Sequence, residues 1–106
     1  RAVLELANGP VTPEADEILF KNGIILVPDV LSNAGGVTVS YFEQVQNASN
    51  YYWTETEVLA KLKLIMDSSF ESVWDIKTKY NIDMRTAAFV LAVGRVGAAM
   101  TDRGSI

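Results

Sequence analysis

The sequence predicts an α/β fold in which a strand–helix–strand–helix segment is followed by two long helices. Two short apolar segments, residues 2–6 and 24–27, each precede a stretch with helix-forming signals. Beyond residue 50, apolar residues recur at helical spacing almost to the end of the chain. Because a strand, a helix and a second strand in this order form a βαβ unit, we expect the two strands to be parallel.

The first elements are bounded by clear local signals. Thr12 is a capping residue, Pro13 suits the first helical position, and Gly23 is typical of the residue just past a helix end. The first strand has the weak alternation of a buried parallel strand. The predicted bounds are residues 2–6 for the first strand, 13–22 for the first helix and 24–27 for the second strand, which Pro28-Asp29 closes.

Three further helices follow, and two of them have strong start signals. Thr54 and Glu57 have the spacing of a capping box, and Asp83 suits the cap of the last helix. We interpret the aromatic segment Tyr51-Tyr52-Trp53 as a hydrophobic anchor for the loop before the fourth helix. The predicted helices begin near Ala34, after Thr54 and at Arg85, and end near Asn47, Tyr80 and Asp102.

The last predicted helix is apolar on most of its sides. A helix of this kind needs cover on several faces, which a chain of 106 residues can hardly supply alone. We therefore expect it to contact a missing domain or another subunit. Arg1 is followed directly by the first predicted strand, as expected for the end of a longer polypeptide. The apolar residues are Ala87, Ala88, Val90, Leu91, Val93, Val96, Ala98 and Ala99.

Composition excludes several classes of function. A net charge of −4 without a basic run argues against a nucleic-acid partner. The absence of cysteine and histidine excludes a disulfide framework, a thiolate metal site and the commonest general base. The longest apolar run, Ala87–Met100, is interrupted by Arg95 and is too short to span a membrane. We expect a cytoplasmic protein with no membrane partner and no metal.

The candidate binding site lies where the two strands end. Asn8 and Asn33 each follow a strand, and the carboxyl ends of parallel strands share one edge of a sheet. The alternative is that both asparagines are local backbone caps. Gly35 and Gly36 leave the helix backbone open to a ligand, although they could also serve close helix–strand packing.

The helix that follows adds the methyl groups of a valine and the hydroxyl of a serine to this candidate site. Val37 and Ser40 are three residues apart and therefore share a helix face. Asn33 can both donate and accept hydrogen bonds, as an amide ligand such as a nicotinamide carboxamide requires. One helix start therefore combines an amide, an open backbone, methyl groups and a hydroxyl.

Several of these motifs resemble one known family over nearly the whole chain. They are Ala-Asn-Gly-Pro-x-Thr-Pro-Glu-Ala-Asp at residues 7–16, Asn-Ala-Gly-Gly-Val-Thr-Val-Ser-Tyr-Phe-Glu at 33–43 and Met-Arg-x-Ala-Ala at 84–88. The chain resembles the C-terminal part of glutamate dehydrogenase, in the Glu/Leu/Phe/Val dehydrogenase superfamily, and is most similar to the hexameric bacterial and archaeal type. Gln44 stands where the family usually has Trp.

The resemblance implies a role for each candidate residue. Asn8 would lie by the nicotinamide-ribose end of the cofactor, NAD or NADP, and Asn33 would hold the nicotinamide or the substrate's amino-acid end. Val37 and Ser40 would line the substrate pocket, with Ser40 bonding the side-chain carboxylate of the substrate. Residues 1–50 would be the C-terminal part of a Rossmann-like NAD(P)-binding domain, and residues 51–106 a helical segment packed against the rest of the subunit.

The resemblance also implies a reaction and what this chain lacks for it. The family interconverts L-glutamate with 2-oxoglutarate and ammonia by hydride transfer, in a homo-hexamer. Its catalytic lysine and aspartate and its glycine-rich phosphate loop precede this segment, so this chain has no catalytic residue. We expect the 106 residues alone to be inactive. The alternative is a non-catalytic helical binding or assembly module derived from the same family.

Overall fold

A short parallel sheet and one crossover helix form the first part of the molecule. In a computed structural model, which describes residues 1–105, the chain contains two strands and five helices. Strands β1 (Ala2–Leu4) and β2 (Ile25–Val27) pair in parallel, with Val3 opposite Leu26, and helix α1 (Pro13–Lys21) joins them. The mixed α/β class and the parallel pairing of the strands are therefore confirmed.

Four more helices complete the chain, and one of them was not predicted. They are α2 (Asp29–Ser32), α3 (Ala34–Ser49), α4 (Glu55–Tyr80) and α5 (Met84–Asp102). The predicted starts of α3, α4 and α5 hold to within one residue, and α3 extends two residues beyond its predicted end. A four-residue helix such as α2 is too short to show a periodic pattern in sequence.

The start signals act as predicted. The Thr12 hydroxyl accepts from the Ala15 N–H at 3.2 Å, and the Asp83 carboxylate accepts from the Thr86 N–H at 3.0 Å. Thr54 and Glu57 form the reciprocal capping box. Each of these bonds satisfies a backbone donor that has no partner within its own helix.

The first strand differs from its prediction in length and in burial. It ends at Leu4, because the partner strand ends at Val27 and Pro28 has no N–H to continue the ladder. Within residues 1–105, Leu4 and Leu6 are exposed and Glu5 is buried, at 2% exposure, so the described residues do not cover this strand as expected. Within residues 1–105, β1 has a single neighbouring strand, and no other element covers the side chain of Leu4.

The core joins the sheet to the two long helices. Its buried side chains come from α2, α4 and α5, and β2 packs against them. Most of the rest of α5 is exposed, including apolar side chains: Val93 is 69% exposed and Val96 61%. Within residues 1–105, nothing covers this face. The buried core residues are Leu31, Val73, Met84, Ala87 and Ala88.

The aromatic segment before α4 behaves only partly as expected. Trp53 packs edge-on against the buried Phe42, with ring centroids 5.6 Å apart, and so anchors the loop. Tyr51 and Tyr52 are exposed, at 69% and 63%. The anchor interpretation is therefore right for Trp53 and wrong for the two tyrosines.

Candidate functional site

The two candidate asparagines meet at the carboxyl end of the sheet. The Asn33 Nδ2 donates to the Asn8 Oδ1 at 2.7 Å, although the residues are 25 positions apart in sequence. Asn33 makes no side-chain cap bond to α3, so its interpretation as a cap of that helix is wrong. The sheet edge predicted from strand order therefore brings both amides into direct contact.

The orientation of the two amides follows from a third group. The Asn33 Nδ2 also lies 3.5 Å from the Leu6 carbonyl oxygen. A carbonyl oxygen only accepts hydrogen bonds, so this contact places the nitrogen of Asn33 on the side of Leu6 and Asn8. Among residues 1–105, the Asn8 Nδ2 and the Asn33 Oδ1 have no protein partner. The pair thus leaves one donor and one acceptor without a protein partner, which are the two groups that a primary amide ligand requires.

The first turns of α3 add an open backbone to this amide pair. A Cβ on Gly36 would meet no atom within 4 Å, and one on Gly35 would make an ordinary contact, 3.9 Å from Leu62 Cδ1. Neither glycine has a positive φ. Within residues 1–105, close packing therefore does not explain Gly36.

Val37 and Ser40 lie on the same side of α3 as Asn33 and Gly36, at helical spacing. Val37 is 71% exposed, and the Ser40 hydroxyl donates to the Gly36 carbonyl at 3.1 Å. The four residues form a surface that is polar at one end and apolar in the middle, with a hydroxyl one turn further on. Such a surface can contact a small ligand that carries an amide or a carboxylate.

Arg85 and three carboxylates form a charge cluster. Arg85 bonds Glu5 at 2.6 Å and Asp16 at 2.7 Å, and its Nη1 lies 3.7 Å from Asp29. The Glu5 side chain is fully buried and also accepts from the backbone N–H groups of Asp29 and Val11. The cluster therefore joins the residue that follows β1 to α1, α2 and α5.

This charge cluster was missed from the sequence, although two signals pointed to it. Glu5 stands between two leucines in the predicted strand, and an acid there is buried only if it is paired. Arg85 is the one charged residue of the Met-Arg-x-Ala-Ala motif, at the start of an otherwise apolar segment. Among residues 1–105, no group of Asp and Glu side chains is placed to hold a metal ion.

Asp29 connects the charge cluster to the asparagine loop. Its Oδ2 accepts from the Gly9 N–H at 2.8 Å, and its Oδ1 accepts from the Val30 N–H at 2.7 Å. The bond from Gly9, followed by the bond from Val30, lowers the pKa of Asp29 below its ordinary value. Asp29 is therefore ionised near neutral pH and holds the residue next to Asn8.

Residues 1–105 include no helix that is both long enough and apolar enough to cross a membrane.

Known proteins match this chain over nearly all of its length. The NAD-specific glutamate dehydrogenase of Clostridioides difficile is 55% identical over 104 residues, which are 98% of this chain and 25% of that protein. The crystal structure of glutamate dehydrogenase from Peptoniphilus asaccharolyticus superposes with a TM-score of 0.94 at 45% identity, covering 99% of this chain and 27% of that one.

A third match is the leucine-bound hetero-hexameric glutamate dehydrogenase of Thermus thermophilus, with a TM-score of 0.91 at 33% identity over 96% of this chain and 24% of that one. The chain thus spans about a quarter of the length of the relatives it matches. The model of the Glutamate/Leucine/Phenylalanine/Valine dehydrogenase family matches residues 1–104. The chain therefore belongs to the Glutamate/Leucine/Phenylalanine/Valine dehydrogenase family.

Proposed function

We propose that this chain is part of an NAD-dependent glutamate dehydrogenase, which converts L-glutamate reversibly to 2-oxoglutarate and ammonia. The observation that carries the proposal is the Asn8–Asn33 pair, which leaves one donor and one acceptor for an amide ligand. The C. difficile relative is named NAD-specific, which favours NAD for this chain over the alternative, NADP. A cytoplasmic location stays a prediction of the sequence.

The asparagine pair fits the nicotinamide carboxamide. In our proposal the Asn33 Oδ1 accepts from the carboxamide N–H, and the Asn8 Nδ2 donates to the carboxamide or ribose oxygen. Two bonds of this kind fix the rotation of the ring, and correct orientation of reacting groups supplies a large part of an enzyme's rate. Bound NAD supplies the hydride acceptor.

The face of α3 fits the substrate. Val37 contacts the methylene groups of glutamate, and Ser40 bonds its side-chain carboxylate. The Ser40 hydroxyl now donates to the Gly36 carbonyl, and a hydroxyl can rotate to a new acceptor. A hydrogen bond to an ionised carboxylate is roughly twice as strong as one between neutral groups, so the exchange is favourable. Gly36 leaves space for the ligand beside the helix.

The rest of the polypeptide supplies the remaining parts of the proposed enzyme. These are the acid–base residues, the phosphate loop and the lysines that bind the substrate carboxylates, so the isolated chain is inactive. Residues 1–50 belong to the Rossmann-like domain, and residues 51–106 form the helical segment; Ile106 lies outside the described residues. The exposed apolar face of α5 is consistent with contacts in a homo-hexamer, and one matched structure is a hetero-hexamer.

The proposal is tested with the full-length protein that contains this chain. NAD and L-glutamate are supplied together, and the reduced nicotinamide and 2-oxoglutarate are measured. Equal amounts of both products, with leucine oxidised much more slowly, are expected. A folded full-length protein that reduces no NAD with any amino acid would instead support the non-catalytic module.

A further inference from the structure

Arg85 is contacted by two aspartates that differ in their distance from it and in their other hydrogen bonds. Asp16 and Asp29 come from different helices, and their side chains are similarly buried, at 16% and 18% exposure. Asp16 bonds the guanidinium at 2.7 Å, and its contacts stay within the charge cluster. Asp29 lies further from it, at 3.7 Å, but accepts from two backbone N–H groups outside the cluster. The two aspartates therefore form a natural pair for comparison.

The loop that carries Asn8 has few other attachments. Residues 6–10 are exposed, and Gly9 has a φ of +60°, which favours glycine. The charge cluster holds this loop at the Gly9 N–H, through Asp29, and at the Val11 N–H, through Glu5. The bond from Asn33 to Asn8 is a third attachment.

Asp29 is also the first residue of α2, the helix that leads directly to Asn33. The Asn33 N–H donates to the Asp29 carbonyl at 3.1 Å. Asp29 thus bonds the neighbour of Asn8 with its side chain and bonds Asn33 with its backbone. Asp29 is therefore the residue that contacts both the loop of Asn8 and the helix leading to Asn33, in addition to the direct bond between the two asparagines.

We propose that Asp29 is a positioning residue, which sets the geometry of the Asn8–Asn33 pair for the coenzyme. This inference rests on the proposed function, in which the pair binds the nicotinamide. If the Gly9 N–H loses its acceptor, the loop moves relative to α2, and fewer molecules hold both amides in the binding geometry. The substrate face at Val37 and Ser40 lies further along α3 and is not held by Asp29.

The test compares Asp29→Asn with Asp16→Asn in the full-length enzyme. The Gly9 and Val30 N–H groups donate to different oxygens of Asp29, and in asparagine one of these oxygens is replaced by an NH2 group, which cannot accept. We expect the KM for NAD to rise about tenfold in Asp29→Asn and the KM for glutamate to change less than about threefold. In Asp16→Asn we expect a lower Tm, with both KM values within about threefold of wild type.

Hydrogen exchange gives a second readout, which does not depend on activity. The peptide that covers residues 7–11 should exchange faster in Asp29→Asn than in Asp16→Asn, because the Gly9 N–H is bonded to Asp29 alone. If both variants shift the two KM values and this exchange equally, Asp29 is an ordinary member of the charge cluster and the proposal is wrong. If Asp29→Asn does not fold whereas Asp16→Asn does, Asp29 is a folding residue, which also contradicts it.

The failure of the proposed function would look different. A wild-type enzyme without NAD-dependent glutamate oxidation would refute that function and the coenzyme role of Asp29 with it. A wild-type enzyme that is active, with equal effects at 29 and 16, would refute the positioning role alone.

Discussion

Changing Gly36 to alanine should raise the stability of the enzyme and lower its activity. A helical glycine is less favourable than alanine by roughly 0.5–1 kcal/mol, and a Cβ at Gly36 meets nothing within 4 Å. Gly36→Ala should therefore stabilise the full-length enzyme by about that amount. The proposed ligand occupies the open space, so the same methyl group should impair its binding.

The kinetic cost can be estimated from the energy of overpacking. An extra methyl group in a filled site typically costs 1–3 kcal/mol, which corresponds to a loss of about 5-fold to about 150-fold in kcat/KM. The assay measures kcat/KM for NAD and for glutamate, together with Tm, in wild type and variant. Stability should rise while at least one kcat/KM falls.

Gly35→Ala is the matched control for this experiment. Gly35 is the preceding residue, faces Leu62 on α4, and would accept a Cβ at an ordinary contact distance of 3.9 Å. It should show the gain in stability without the loss in kcat/KM. If Gly36→Ala keeps full activity, or if both variants lose activity equally, no ligand occupies the space beside Gly36 and the assignment of the site is wrong.

Two further predictions concern Ser40 and Asp83. Ser40→Ala should lower kcat/KM for glutamate roughly tenfold to a hundredfold and leave norvaline unchanged, because norvaline has no side-chain carboxylate; equal losses for both would make Ser40 a packing residue. Asp83→Ala should cost about 1 kcal/mol at neutral pH, measured by denaturant unfolding, because the Thr86 N–H loses its cap. Partial burial alone would raise the pKa of Asp83, but its bonds to Thr86 lower the pKa overall. The stabilisation by this cap is therefore fully present above the unfolded-state pKa of Asp83 and should shrink as the pH falls below about 4. A cost that persists unchanged at low pH would contradict the role of the ionised cap.

The longer helices and the placement of Asn8 and Asn33 at one sheet edge could be predicted because they depend on local signals and on strand order. Caps such as Thr54 and Asp83 act within one helical turn, and parallel strands place their carboxyl ends at one edge. The charge cluster could not be predicted in the same way. It joins Glu5 to Arg85, which are 80 positions apart; the sequence signals that an acid between two leucines needs a partner, but not which residue that partner is.

Burial was predicted less well than secondary structure, for a related reason. Apolar residues indicate that a surface is covered, but not by what. Leu4, Tyr51 and Val93 are all apolar or aromatic and all exposed within residues 1–105. In a chain that spans a quarter of its relatives' length, an apolar pattern is not a guide to burial within the chain itself.

The most direct test of the amide pair uses a coenzyme analogue. Acetylpyridine adenine dinucleotide has a methyl ketone in place of the carboxamide. It therefore keeps the oxygen to which Asn8 would donate and lacks the N–H group that would donate to Asn33. The ratio of kcat/KM for NAD to that for the analogue is measured in full-length wild type, Asn33→Ala and Asn8→Ala. We predict that Asn33→Ala lowers this ratio about tenfold, whereas Asn8→Ala lowers both kcat/KM values by the same factor and keeps the ratio. A ratio that is unchanged in Asn33→Ala would show that Asn33 does not bind the carboxamide, and would contradict the proposed site.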